Sequence, residues 1–253
     1  MAARADLALR RGNLALAVLH SAQAAVILAL STSFSLPVTG AFMEGPPGSG
    51  VPKQDKLFEL AIGPLVGAFL LFAALDHALV ALPPFRARYE RSLARGVNPF
   101  RWLEYSVSAS LMVVLIAMLT GIADFVALLA IFAANAAMIF FGWLMELLNP
   151  PDRARTRWLP FLLGCVVGAV PWIAIGMQIG GSVDRGHAPP TFVYAIFASL
   201  FVLFGSFAAN QALQYRRIGR WRDYYYGERW YLWLSLVAKS LLAWQVFANA
   251  LVL

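Results

Sequence analysis

The sequence predicts an all-α membrane protein, a bundle of seven transmembrane helices, on three observations. Apolar runs of about 20 residues recur along the whole 253-residue chain, and that is the length a helix needs to cross the hydrocarbon of a bilayer. Only 13% of the residues are charged and 60% are hydrophobic, giving a mean hydropathy of +0.69; a soluble domain carries about 25% charged residues. The basic residues gather in alternate connections between the apolar runs. A transmembrane barrel would show short strands of alternating polarity, and the sequence lacks them. The spans leave no room for a sizeable soluble domain, so residues 1–253 read as one membrane domain.

The spans fall at 14–36, 57–82, 99–120, 124–148, 157–179, 190–214 and 228–252. Arg4, Arg10 and Arg11 ahead of the first resemble a signal peptide, but its apolar stretch, Leu14 to Leu36 with His20 and Gln23 inside it, exceeds a signal core of about 7–15 residues. It reads as a helix that stays. Asn98-Pro99 opens the third span as an N-cap followed by proline. Asn149-Pro150-Pro151 stops the fourth, Gly180-Gly181 stops the fifth and Pro189-Pro190 opens the sixth. Gly164/Gly168 and Gly176/Gly180 are small-residue pairs suited to close helix packing. The one long connection on the less basic side, "PVTGAFMEGPPGSGVPKQD", reads either as a flexible loop or as a small β-ribbon built from "FSLPVTGAFM".

Charge sets the expected orientation. The N-terminal segment and the second, fourth and sixth connections hold 16 of the 20 Lys and Arg residues, among them Arg101; the other side holds Lys53, Lys56 and Arg185, and Lys239 lies within a span. Cytoplasmic loops carry the basic excess, so the N-terminus is expected in the cytoplasm and the C-terminus outside. The net charge of +7 then reflects topology and gives no reason to expect a nucleic-acid partner. The single cysteine, Cys165, excludes an internal disulfide and a cysteine-rich metal site.

Ionisable residues inside the spans are His20, Asp76, His77, Glu104, Glu146 and Lys239. Each costs roughly 2.5–3.5 kcal/mol by insertion scales if charged at mid-membrane, so each needs a reason. Glu146 lies near a helix end and is expected to reach water. Asp76 and His77 are sequential and point to different faces. Lys239 is too deep to snorkel. Its side chain leans toward the start of its helix, where Glu104 is the natural partner, and Ser235 shares its face one turn earlier. This pair reads as a functional amine or as a structural ion pair in a transporter. A third reading, an intramembrane zinc hydrolase using His20, Asp76, His77 and Glu104, is weakened because the remaining histidine, His187, sits in a connection.

With these residues assembled, the sequence resembles the heliorhodopsins, retinal proteins related to the microbial rhodopsins. The resemblance rests on "NPFRWLEYSVSASLM", "ANAAMIFFGWLMELLNP", "ANQALQYRRIGRWRDYYYGERWYLW" and "SLVAKSLLAWQ", and covers essentially the whole chain. It implies a rhodopsin-like bundle with an inside N-terminus and a short β-ribbon in the first outer loop. It implies all-trans-retinal as a protonated Schiff base on Lys239, with Glu104 as counterion and Ser235 as polar neighbour. His20 and His77 match histidines lining a polar cavity, and Asn135, Met138, Ile139, Gly142, Phe201, Phe204 and Gln211 match retinal-pocket residues. It further implies a homodimer in the cell membrane, with the ribbon near the contact.

The chemistry agrees with the resemblance. Retinal is an apolar polyene ending in an aldehyde, which an apolar slot with one amine accommodates. After Glu104 the third span has no carboxylate before Asp124, whereas an outward proton pump needs a second one across the membrane. The expectation is a light sensor or light-driven regulator and not an enzyme. Its output surface is expected to be the basic, aromatic stretch "QYRRIGRWRDYYYGER", displayed toward a cytoplasmic protein or anionic lipid.

Overall fold

The computed structural model describes residues 2–252, with side chains from Leu7 onward; the side chain of Arg4 lies outside the described residues. Seven helices are long and apolar enough to cross a membrane: α1 (Ala2–Leu30), α2 (Ile62–Ala81), α4 (Pro99–Leu119), α5 (Phe125–Leu147), α6 (Leu159–Asp184), α7 (Thr191–Tyr215) and α8 (Tyr224–Val246), the last extended by one π turn over Phe247–Leu251. Among the described residues a short helix α3 (Phe85–Ala94), a 3-10 turn over Gly219–Arg222 and two strands, β1 (Ser35–Phe42) and β2 (Lys53–Ala61), make up the rest of the regular structure.

The helix starts follow their capping residues. The Asn98 side chain accepts from Arg101 N at 3.2 Å with Pro99 in the first turn of α4. Asp124 accepts from Ala127 N at 2.9 Å at the start of α5. Asp223 accepts from Tyr225 N at 3.0 Å, so α8 begins a full turn before the expected 228 and carries Glu228 inside the bundle. Gly121, at φ +99°, turns the chain from α4 toward α5, a conformation that favours glycine.

Three expectations change. The ends of the first two spans, 31–36 and 57–61, leave the helices for the ribbon. Ser31 Oγ donates to Ile27 O at 2.5 Å, a local bond that competes with helix continuation, and Leu36 and Val38 pair across the ribbon with Leu60 and Phe58. Gly180-Gly181 does not stop the fifth span: α6 runs on to Asp184. Backbone polar groups in a membrane must be satisfied internally, and Arg185 Nη1 caps the extended end by donating to Gly181 O at 2.7 Å. Of the glycine pairs in α6, Gly164 packs against Phe141 of α5, while Gly180 faces open space. The third change is α3, an amphipathic helix absent from the sequence reading, which packs Tyr89 and Leu93 against Leu9 and Val80.

The antiparallel ribbon runs in register from Ser35↔Ala61 to Phe42↔Lys53 with an irregularity at Val38/Thr39. Thr39 N donates to Ala123 O at 2.8 Å, which lays the ribbon over the α4–α5 turn. Thr32 N donates to Leu251 O at 2.8 Å, so the end of α8 shares this pole of the bundle. At the opposite pole Arg10 Nε reaches Ala81 O at 3.4 Å, and the α5–α6 connection meets the end of α7 through Arg153 and Tyr215. The basic connections therefore share one pole, away from the ribbon.

Candidate functional site

Lys239 lies on α8 in mid-span and is 3% exposed. Its Nζ donates to Ser235 Oγ at 2.7 Å and to Glu104 Oε2, on α4, at 3.2 Å. The ammonium also sits 4.8 Å from the centroid of the Tyr105 ring, close enough for a cation–π attraction. Ser235 is the i−4 neighbour of Lys239, so one helical face presents both. Glu104 is one and a half turns into α4, and its other oxygen, Oε1, is buried without a hydrogen-bond partner.

An apolar cavity of about 110 Å³ opens from this amine between α4, α5, α6, α7 and α8. Met138, Ile139, Gly142, Phe204, Gln211, Ser235 and Lys239 line it, seven of the site residues expected from the sequence. Gln211 Nε2 is tied to Gly142 O at 3.0 Å. A Cβ on Gly142 would meet the Trp102 ring at 2.6 Å, so glycine is what allows the indole to lie against α5. Trp102, Tyr105, Ala109 and Met112 also line the cavity. The sequence reading missed them although their i, i+3, i+7, i+10 spacing marks one helical face; Phe161, Phe207 and Tyr231 were missed on neighbouring helices.

Four expected residues lie elsewhere. Asn135 is buried beside the cavity, and its Nδ2 donates to Ser110 Oγ at 3.0 Å, joining α5 to α4. Phe201 faces outward at 53% exposure and packs edge-on against Trp172 at 5.4 Å; one turn separates it from Phe204, which faces inward. His20 and His77 lie on the α1–α2 side of Lys239. Their rings stack at 5.7 Å with an 8° interplanar angle, both within electrostatic reach of Lys239. His77 Nδ1 pairs with Asn13 Oδ1 at 2.7 Å, whereas neither nitrogen of His20 has a partner. Asp76 is half-buried on the same turn as His77, within electrostatic reach of Glu104 and Lys239.

A second charged cluster lies nearer the basic pole. Arg101 is 5% exposed, so it is no part of the charged surface to which the sequence reading assigned it. It donates to Glu146 Oε1 at 2.6 Å and to Glu228 Oε1, and its guanidinium lies 3.8 Å from the Tyr231 ring centroid. Glu146 does not reach water as expected: at 1% exposure it also accepts from Asn98 N, Trp102 Nε1 and Tyr224 OH at 2.8, 2.6 and 3.1 Å. The cluster thus ties α4, α5 and α8 together. Among the described residues, no group of three or more His, Cys, Asp or Glu side chains is arranged to share a metal ion.

A buried primary amine beside one carboxylate, at the edge of an aromatic slot, suits a long apolar ligand ending in an aldehyde. The unpartnered Glu104 oxygen is an acceptor beside that amine. Comparison with known proteins points the same way. A family model described as Heliorhodopsin matches residues 9–251. No curated protein matches the sequence. Among solved structures, a light-driven proton pump from Leptosphaeria maculans superposes with a TM-score of 0.67 at 14% identity, covering 95% of this chain and 93% of that one. The light-driven proton pump rhodopsin of Coccomyxa subellipsoidea gives 0.65 at 17% identity, covering 97% and 96%. Cyanorhodopsin from the cyanobacterium Tolypothrix sp. gives 0.64 at 14% identity, covering 97% and 94%. At these identities the likeness is one of fold.

Proposed function

Given that the chain belongs to the heliorhodopsin family of retinal proteins, as the match over residues 9–251 shows, we propose that it is a light sensor, or light-driven regulator, that moves no ion across the membrane. The observation that carries this reading is the Lys239 ammonium, held between Glu104 and Ser235 at the edge of the cavity. Retinal, bound in its all-trans form as a protonated Schiff base on Lys239, supplies the absorbing polyene and a cation at the lysine nitrogen. Glu104 would offset that positive charge in a medium of low dielectric, and Ser235, which accepts from the free Lys239 ammonium at 2.7 Å, lies beside the same nitrogen. Trp102, Tyr105, Met138, Phe204 and Phe207 form the walls of the slot and exclude water. His20, with both nitrogens free, and the His77–Asn13 pair are placed to take up a proton on the α1–α2 side.

The absence of pumping is supported by how the buried carboxylates are distributed. Glu104, Asp76, Glu146 and Glu228 occupy the half of the bundle toward the basic pole. The half toward the ribbon is packed with Val66, Phe69, Leu70, Leu115, Ile116, Leu242 and Val246. Asp124, at the ribbon pole, is engaged in capping α5. A proton released near Lys239 therefore has acceptors toward one pole. The basic excess at that pole supports a cytoplasmic N-terminus. Phe42, Leu57 and Phe58 are exposed on the ribbon, which supports a homodimer contact there. The cytoplasmic face is the proposed output surface toward a protein partner.

The test is to express the protein with all-trans-retinal and illuminate intact cells in weakly buffered medium, beside a known pump at equal expression. A visible band with no sustained pH change is expected, and an N-terminal tag should be protected from external reagents. A light-driven, uncoupler-sensitive pH change would refute the sensor reading.

A further inference from the structure

At the basic pole a crevice of about 530 Å³ opens between the ends of α5 and α7 and the start of α8. Three arginines line it: Arg153, Arg217 and Arg222. Among the described residues none of the three forms an ion pair. Asp152 and Asp223 are their sequence neighbours, but neither lines the crevice, and Asp223 is engaged in capping α8. The arginines are instead held by backbone carbonyls and a hydroxyl. Arg153 reaches Tyr215 O at 3.2 Å and Thr156 Oγ1 at 3.1 Å. Arg217 donates to Pro151 O, and Arg222 Nε donates to Arg217 O at 3.1 Å. Arg217 takes a positive φ of 54°, a conformation uncommon for a non-glycine residue. Partial burial, and then the charge of Arg217, hold the Arg153 guanidinium below its ordinary value.

A guanidinium offers five N–H donors, so Arg217 and Arg222 each keep several free. Convergent, unpaired guanidiniums are a receptor for phosphate, whose oxygens accept paired N–H bonds. The crevice also holds one acceptor. Gln214 lines it and is 6% exposed; its Nε2 donates to Tyr224 O at 3.4 Å, while its Oε1 is buried without a partner. A buried acceptor of this kind calls for a donor from the occupant. The fully ionised phosphate of a monoester has none to give, whereas a hydroxyl elsewhere on the same molecule does.

We propose that this crevice binds a phosphate ester carrying a free hydroxyl, with the phosphate on Arg217 and Arg222 and the hydroxyl on Gln214 Oε1. Two sources share that chemistry: the headgroup of an acidic phospholipid such as phosphatidylglycerol, and a soluble polyol phosphate. Tyr224 connects the site to the interior, since it lines the crevice and donates to Glu146 at 3.1 Å. An occupant thus sits one hydrogen bond from the cluster that ties α4, α5 and α8. The proposal stands on the crevice itself and is independent of the light-sensing reading.

The test uses the full chain, purified in micelles free of added phospholipid and titrated calorimetrically with glycerol 1-phosphate. A parallel arm measures retention of phosphatidylglycerol against phosphatidylcholine in mixed nanodiscs. Arg217→Gln and Arg222→Gln should each weaken binding about tenfold or more, as expected for loss of a charge-assisted contact. Arg155→Gln, exposed at the same pole but outside the crevice, should leave it within about twofold, because a distant surface charge is screened. Gln214→Leu should weaken glycerol 1-phosphate but not methyl phosphate, whose dianion has no hydroxyl to donate. Each arginine variant loses one exposed side-chain bond to a backbone carbonyl, so both should elute and give circular dichroism like wild type. Glycerol 1-phosphate binding in micelles identifies the soluble source, and preferential retention of phosphatidylglycerol identifies the lipid; either supports the site. Failure of both probes to bind overturns it. So does equal binding by wild type, Arg217→Gln and Arg222→Gln, and equal loss in Arg155→Gln reduces it to general surface charge.

Discussion

Two buried charged clusters lie about three turns apart along α8, from Glu228 to Lys239, and they are built on opposite principles. In the cluster around Arg101, Glu146 accepts from four donors and Glu228 from two, one of them Asn98 Nδ2 at 2.8 Å. In the cluster around Lys239, Glu104 accepts one bond, of 3.2 Å, while its second oxygen and both nitrogens of His20 have no partner. Buried polar groups are ordinarily satisfied, and the exceptions call for an explanation. A densely bonded cluster, whose carboxylates take six hydrogen bonds although Arg101 Nε is left without a partner, fixes three helices in register. A sparsely bonded one beside a cavity keeps acceptors open for a group the site is built to take. The contrast separates the residues that hold the bundle from those that act in it.

The largest expected effect tests the sparse cluster. Lys239→Ala removes the amine at the cavity and should abolish the visible band on addition of all-trans-retinal. The bundle should still assemble, because Lys239 makes hydrogen bonds to Ser235 and Glu104 alone and otherwise meets the Tyr105 ring. Persistence of a covalent visible chromophore in Lys239→Ala would overturn the assignment of the site.

The next tests the dense cluster. Arg101→Leu leaves Glu146 and Glu228 facing each other in the interior, and breaking one partner of a buried ion cluster costs about 3–5 kcal/mol. The variant should express poorly and unfold at markedly lower temperature, while any folded fraction binds retinal normally. If Arg101→Leu were as stable as wild type but lost its colour, the roles of the two clusters would be reversed.

Glu104→Gln should have an intermediate effect. It removes the carboxylate hydrogen-bonded to the Lys239 nitrogen, and glutamine preserves the shape. A smaller fraction of the protein should carry a visible band at neutral pH, because the cation at the lysine nitrogen has lost its nearest negative charge. The remaining band should move to the red. Asp76→Asn should do much less, since no hydrogen bond joins Asp76 to Lys239. Spectra of the two variants across pH decide between them. A Glu104→Gln spectrum like wild type, with loss of the visible band in Asp76→Asn, would assign the counterion to Asp76.

The asymmetry between the clusters also explains what the sequence disclosed. Lys239, Glu104 and Ser235 were legible because a lone cation in an apolar run is costly and because helical spacing fixes which residues share its face. Seven spans were legible from apolar length, and the start of α4 from its capping residue. The Arg101 cluster was not legible. Arg101, Glu146 and Glu228 each lie within a few residues of a helix end, where charge is ordinary, and only the packing of three helices shows that water is excluded from them. The ribbon cut short the first two spans because pairing across a turn is a long-range choice that apolar length does not encode. Phe201 and Phe204 are both aromatic on one helix. Their difference, one facing out and one facing in, depends on the rotation of α7 about its axis, set by neighbours such as Trp172.

The smallest expected effect probes the rim of the dense cluster. Tyr224 OH donates to Glu146 Oε1 at 3.1 Å, the longest of the four bonds that carboxylate accepts. Tyr224→Phe keeps the ring and deletes that bond alone. Glu146 retains Arg101, Asn98 and Trp102, so it is not left unsatisfied, and the cost should be that of one hydrogen bond, about 1 kcal/mol. The melting temperature should fall slightly and the visible spectrum should be unchanged, because no hydrogen bond links Tyr224 to Lys239 or Glu104. A thermal melt followed at the visible band reads both quantities in one experiment. A loss of several kcal/mol would mean that Tyr224 is integral to the clamp. A shifted band with unchanged stability would mean that the two clusters communicate, and their separation into a holding part and an acting part would fail.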